Sequence, residues 1–280
     1  MAKLIALPKR LSHEEEIAYE KRNQLWGQYD QYPKNDYLIY GEKPYALLMT
    51  HIPAPKASNR YVIISHGYTS NRYGAVKYLD AYRHLGFNVL IYDIRGHGQN
   101  DRMPVSLGYF ESDDLLAIIE DTYQRYGQDI YLGLHGESMG SAISISVLDR
   151  TQKLAFVVAD CGFSSLKGLL RDLYRQRHAL FFLPGANLMT RLFFGYWINQ
   201  TQPIEAVKNN HVPLLFIHGK NDRLIPPSHS LAMAKASQGY AEVQLIEGAV
   251  HAGSRHKLGQ ASYSKMIATF LDKIKTTSPF

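Results

Sequence analysis

Five residues set the chemical question. Gly136-Glu137-Ser138-Met139-Gly140 stands between an apolar run at residues 130–134 and a helical pattern at 139–149. A serine on a sharp strand-to-helix turn has its hydroxyl lifted clear of the sheet. Larger residues two positions to either side would collide with neighbouring backbone, so glycine is expected there. The helix starting at once supplies unpaired N–H groups that favour an anion formed during attack. Ser138 is therefore the candidate nucleophile.

A serine hydroxyl is a weak nucleophile until a base removes its proton, and histidine suits that task. His66, His97, His135 and His218 all lie directly before glycines at or near strand ends, where loop-bracing roles are common. His13, His84, His178 and His229 fall on the N-terminal arm or on predicted helices. His251 follows the last strand-like run in Glu247-Gly248-Ala249-Val250-His251 and is the favoured base, with His256 as the other late histidine. A carboxylate must orient the imidazole. Asp222, in His218-Gly219-Lys220-Asn221-Asp222, lies between Ser138 and His251, in the order serine, acid, histidine. Asp160 is its rival. The oxyanion of a tetrahedral intermediate needs backbone donors. Met139 N–H should supply one. The loop Ser65-His66-Gly67-Tyr68-Thr69 should supply the other, from Tyr68 with Thr69 as the alternative.

These residues need a frame. Strand-like runs at 37–40 and 45–52 are joined by Gly41-Glu42-Lys43 and read as a hairpin. Further runs at 61–65, 88–92, 130–134, 155–159, 214–218 and 242–246 alternate with helical stretches at 74–85, 113–126, 139–149, 228–237 and 262–273. Near-continuous apolar strands separated by helices predict an α/β fold with a mostly parallel sheet covered on both faces. Residues 1–35 read as a polar arm with a helix near 13–22. Residues 163–200 are too many for a plain connection and read as a helical cap over the strand ends.

With the frame in place, the chain resembles the α/β-hydrolase superfamily over roughly residues 37–275. The resemblance rests on His66-Gly67-Tyr68, Asp93-Ile94-Arg95-Gly96-His97-Gly98, Gly136–Gly140, Asp222 and His251. The first two segments are similar to those of small bacterial serine esterases, including cinnamoyl and short-chain carboxylesterases, and of protein-depalmitoylating relatives. The resemblance implies a single α/β-hydrolase domain and a Ser–His–Asp acyl-enzyme mechanism without cofactor or metal. It leaves the substrate open. Gln99-Asn100-Asp101 depart from the serine many relatives carry soon after the second glycine, in a loop expected only to brace the site. An aspartate nucleophile, which haloalkane and epoxide chemistry on this fold requires, is replaced by Ser138.

The expected activity is carboxylic ester hydrolysis on a small-molecule substrate. Acyl-thioester, lysophospholipid-like and peptide hydrolysis are neighbouring readings, and a non-catalytic hydrolase-fold binding protein is the reading of another class. Within the cap, Phe181, Phe182, Phe193, Phe194 and Trp197 are candidates for an acyl or aromatic binding wall above Ser138. Arg171, Arg175 and His178 recur at helical spacing and could attract an anionic substrate or membrane surface.

Composition narrows the field further. The 280 residues carry a formal net charge of +6 with 45% hydrophobic and 20% charged residues, ordinary for a globular chain. The basic residues are scattered without a nucleic-acid-binding motif. The single cysteine, Cys161, cannot form an internal disulfide, and is expected as a small core residue. The start, MAKLIALPKRL, has too short an apolar stretch for a secretory signal. Residues 179–197 come nearest to a spanning segment, but Pro184, Gly185, Asn187 and Arg191 interrupt them. A cytoplasmic location is expected, with peripheral membrane contact and a native anchor left as open alternatives.

Overall fold

A computed structural model describes residues 7, 9–40 and 45–277. Its frame is an eight-stranded sheet in the order β1-β2-β4-β3-β5-β6-β7-β8. The strands are β1 Asn35–Tyr40, β2 Ala46–Ile52, β3 Arg60–Ser65, β4 Asn88–Tyr92, β5 Tyr131–Glu137, β6 Phe156–Asp160, β7 Leu214–Gly219 and β8 Ala241–Ile246. β2 pairs antiparallel with β1 and β4, and every other pairing is parallel. The connection expected at Gly41-Glu42-Lys43 lies outside the described residues. The strands beside it pair from Asn35↔His51 to Tyr40↔Ala46, as a hairpin would.

Two apolar layers flank the sheet, and the period-two geometry of strands decides which residue joins which. Ile63, Leu90, Val157 and Phe216 face one layer with Leu115, Ile143 and Leu170. Their neighbours Val62, Val89, Val158 and Leu215 face the other with Tyr82, Tyr263 and Phe270. Every residue of β4, β6 and β7 is buried, which is why these strands read as unbroken apolar runs. At the β8 edge, Glu242 accepts hydrogen bonds from Tyr240 Oη (2.8 Å), Gln244 Nε2 (2.6 Å) and Lys273 Nζ (2.8 Å). A polar, charged edge of this kind discourages pairing with another chain.

The helices are α1 His13–Arg22, α2 Leu79–Arg83, α3 Tyr109–Tyr126, α4 Met139–Ser146, α5 Leu166–Gln176, α6 Leu183–Phe194, α7 Pro203–Val207, α8 Ser228–Ala236 and α9 Ser254–Thr277. α9 is kinked at Gly259. The expected helix over 74–85 is instead a 3-10 stretch, Arg72–Tyr78, running into the short α2. α5, α6 and α7 fill the long interval between β6 and β7.

The arm is tied down. Ser12 and Glu15 cap α1 reciprocally. Trp26 and Tyr29 enter the second apolar layer. Among the described residues, no helix is long and apolar enough to cross a membrane.

Candidate active site

β5 delivers Glu137 and α4 begins at Met139, so Ser138 occupies the turn between them with φ 55° and ψ −113°. Positive φ is costly for a residue with a Cβ, and it persists here because both flanks are fixed. Ser138 N–H donates to Asp160 O on β6 (2.8 Å), and Ala142 N–H donates back to Ser138 O (3.2 Å). The turn is so tight that a Cβ on Gly136 would overlap the Gly140 carbonyl, and one on Gly140 would overlap the carbonyl oxygen of Ser65.

The structure brings Ser138, His251 and Asp222 into one hydrogen-bonded line. Ser138 Oγ lies 2.9 Å from His251 Nε2, and His251 Nδ1 lies 2.7 Å from Asp222 Oδ2. A carboxylate can only accept, so the imidazole proton sits on Nδ1 and Nε2 is left to accept the serine proton. The other oxygen, Asp222 Oδ1, accepts from Leu224 N and Ile225 N, both at 2.9 Å. Burial alone would raise the pKa of Asp222. Hydrogen bonds to His218, His251 and the loop backbone overcome it and hold the carboxyl far below its ordinary range, so it stays ionised.

The rivals are placed elsewhere. Asp160 is fully buried, accepts from Ser254 Oγ (3.1 Å) and Tyr263 Oη (3.0 Å), and burial raises its pKa to about 7. His256 is exposed on α9. The four pre-glycine histidines are buried braces. His66 Nδ1 is 2.8 Å from Gly67 O, and its Nε2 accepts Ile94 N–H at 3.0 Å. His97 lies 2.9 Å from Arg95 O, and His135 lies 2.9 Å from Tyr82 Oη. His218 takes Ser230 Oγ on Nδ1 (2.7 Å) and holds Ile225 O with Nε2 (2.8 Å). Its Nε2 is also 3.3 Å from Asp222 Oδ2. The role of His218 beside the carboxylate was not read from sequence, although its position four residues earlier on the same strand-to-loop segment carried the signal.

The loop expected to bear Tyr68 runs close to the nucleophile, since a Cβ on Gly67 would lie 3.7 Å from Ser138 Cβ. The arm reaches this loop as well. Leu11 N–H donates to Thr69 O at 2.8 Å, and Thr69 adopts φ 71°. In the following loop, Asp93 accepts from Arg72 Nη1 (2.6 Å), Arg72 N (2.8 Å) and Gln99 N (3.0 Å). Asn100 bonds Asp93 O at 2.5 Å and takes Leu48 N–H at 3.0 Å, so the departing residues do brace the loop.

Two further neighbours were missed. Cys161 is buried, and its sulfur lies with ligand-type atoms of Asp222 and His251 inside a sphere of contacts no wider than 4.8 Å. Burial raises the thiol well above its ordinary pKa and keeps it protonated. Glu137, beside the nucleophile, holds Lys77 Nζ at 2.7 Å and accepts from Tyr78 Oη. Glu16 and Glu20 of α1 are buried against the same lysine, with Lys77 Nζ 3.7 Å from Glu20 Oε1.

Four of the five aromatic residues expected to wall the site lie at the surface. Phe181, Phe182, Phe193 and Trp197 are exposed, and the rings of Phe181 and Phe182 meet at a tilt with centroids 4.0 Å apart. Phe194 is half-buried against the first apolar layer. The residue that does pack inward is Tyr196, whose ring meets Tyr109 and Phe110.

Comparison with known proteins agrees with this architecture. The model of the prolyl oligopeptidase family matches residues 75–274. YqkD of Bacillus subtilis is 29% identical over 98% of this chain and 92% of its own. Alpha/beta hydrolase domain-containing protein 17B of Xenopus laevis is 23% identical over 60% of this chain and 51% of its own. The solved structure of esterase Pf2001 from Pyrococcus furiosus superposes with a TM-score of 0.71 at 22% identity, covering 89% of this chain and 95% of that one.

Proposed function

Since the chain belongs to the prolyl oligopeptidase family of α/β-hydrolases, we propose that it is a serine hydrolase cleaving carboxylic esters through Ser138, His251 and Asp222. The observation that carries this reading is the continuous line from Ser138 Oγ through the imidazole to Asp222, with spans of 2.9 and 2.7 Å.

In the proposed reaction Ser138 Oγ attacks the ester carbonyl as its proton passes to His251 Nε2. The N–H groups of Met139 and Tyr68 hold the oxyanion. The tetrahedral adduct collapses, the C–O bond to the alcohol breaks, and the imidazolium returns its proton to the departing alkoxide. Water then attacks the acyl-enzyme, losing its proton to His251, and the carboxylic acid leaves with Ser138 restored. Asp222 stays ionised throughout, aligning the ring and offsetting the charge of the imidazolium.

The family match supports a second reading, hydrolysis of short peptides by the same residues. A chain-length series of p-nitrophenyl esters run beside peptide p-nitroanilides separates the two. Ester turnover exceeding amide turnover is expected, and the reverse order would favour the peptidase. In either case Ser138→Ala should lose labelling by a fluorophosphonate probe and lower kcat by roughly 10⁴-fold or more. A folded wild-type protein that neither labels nor turns over any of these substrates would favour the binding-protein reading.

A further inference from the structure

Helix α6 turns Leu183 and Phe194 toward the first apolar layer but leaves most of its large apolar residues outside. Its small or polar residues Ala186 and Thr190 are buried and Asn187 is half-buried, whereas Leu188, Met189, Leu192 and Phe193 face solvent. Phe193 and Leu192 are 68% and 67% exposed, and Phe181 just before the helix is 74% exposed. Surface helices of globular proteins turn their large apolar side chains inward. Packing against the sheet therefore does not account for these exposed residues, and so many large apolar side chains in one short segment point to an interaction site.

Charge identifies the partner. Lys167, Arg171 and Arg175 follow one another at four-residue intervals on α5, and all three are exposed. Arg177, just past α5, and Arg191 on α6 are exposed as well. Between residues 166 and 197 the sole acidic residue is Asp172, half-buried and 3.9 Å from Arg171. Trp197, an amphipathic ring of the kind that gathers at membrane–water boundaries, is exposed at the end of the segment.

We propose that the face formed by α5, α6 and the intervening residues docks on an anionic phospholipid surface. The apolar side chains enter the boundary between headgroups and acyl chains while the lysine and arginines meet lipid phosphates. A two-fold contact with a second copy would cover the leucines and phenylalanines, but it would set the basic residues of one protomer near those of the other. A negatively charged plane satisfies both features together.

Vesicle flotation with the full chain tests this without reading hydrolysis, so it stands or falls separately from the chemistry at Ser138. The probes are vesicles of phosphatidylcholine alone and of phosphatidylcholine with phosphatidylglycerol at about three to one. Wild type should float with the anionic vesicles, at least about tenfold more than with the neutral ones, and be released by high salt. Arg171→Glu with Arg175→Glu should weaken the partition coefficient by about twentyfold or more. Leu188→Gln with Leu192→Gln should weaken it by about tenfold or more, while near-UV circular dichroism and Tm confirm an intact fold. The proposal is overturned if wild type ignores anionic vesicles at low salt, or if it binds them and neither pair of substitutions changes the binding. It is equally overturned if sedimentation shows a dimer that the Leu188/Leu192 pair abolishes while vesicles are ignored.

Discussion

Asp222 is held from three sides, by His251, by two backbone N–H groups and by the neighbouring His218. Replacing it with asparagine keeps the shape but presents an amide where the imidazole Nδ1–H needs an acceptor of full charge. Asp222→Asn should lower kcat for a p-nitrophenyl ester by about 10³–10⁴-fold with little change in KM, as stopped-flow or steady-state kinetics would read. A loss under tenfold would mean that the carboxylate does not orient the base. Ser138, Asp222 and His251 could be singled out because each follows a strand-like run, now β5, β7 and β8, in the chain order serine, acid, histidine. His218, Cys161 and Lys77 were not legible in the same way. Only His218 carried a signal, its place four residues before Asp222, and nothing in the spacing of Cys161 or Lys77 distinguishes a side chain that supports the site from one that merely fills a loop end.

At the level of elements, two glycines make a direct contrast. Gly140→Ala would drive a Cβ into the Ser65 carbonyl, so it should destabilise by several kcal/mol, at about 3 or more. Gly185 in α6 has open space around it, and Gly185→Ala should be neutral or stabilising by up to about 1 kcal/mol. Urea unfolding of both variants measures the difference. A second test concerns α1. Burial raises the pKa of Glu20 to about 7, against the pull of Lys77, whose Nζ lies 3.7 Å from Glu20 Oε1. A carboxyl group with a raised folded pKa favours the folded state while protonated. That contribution fades as pH climbs from the ordinary glutamate value, about 4, toward 7. Glu20→Gln should therefore gain on wild type between pH 5 and pH 8, by roughly 1–3 kcal/mol, in unfolding experiments at the two values. An equal difference at both would contradict the assignment. The strands were easy to find because burial on both faces leaves continuous apolar runs. The start of α3 came four residues earlier than expected because Glu111 and Ser106 cap it through the buried bonds Ser106 N and Gly108 N to Glu111, which hydropathy does not reveal. Composition showed that the α5–α6 region was apolar and basic but not which side faced outward.

Across the whole molecule, the sheet order could not be read from sequence, since β3 lies between β4 and β5 and adjacency depends on how the crossovers wind. The arm is also more than a polar leader. Its Trp26 and Tyr29 complete an apolar layer, and its backbone reaches the loop at Thr69. Removing residues 1–34 should lower the calorimetric Tm by more than about 5 °C, and an unchanged Tm would show the arm to be a passenger. Cys161 gives the molecule one built-in reporter. With a single thiol in the chain, shut away beside Asp222 and His251, any alkylating reagent must wait for the surroundings to breathe. The labelling rate divided by that of an unfolded thiol then measures how often the heart of the enzyme opens, and whether a bound acyl group quiets it.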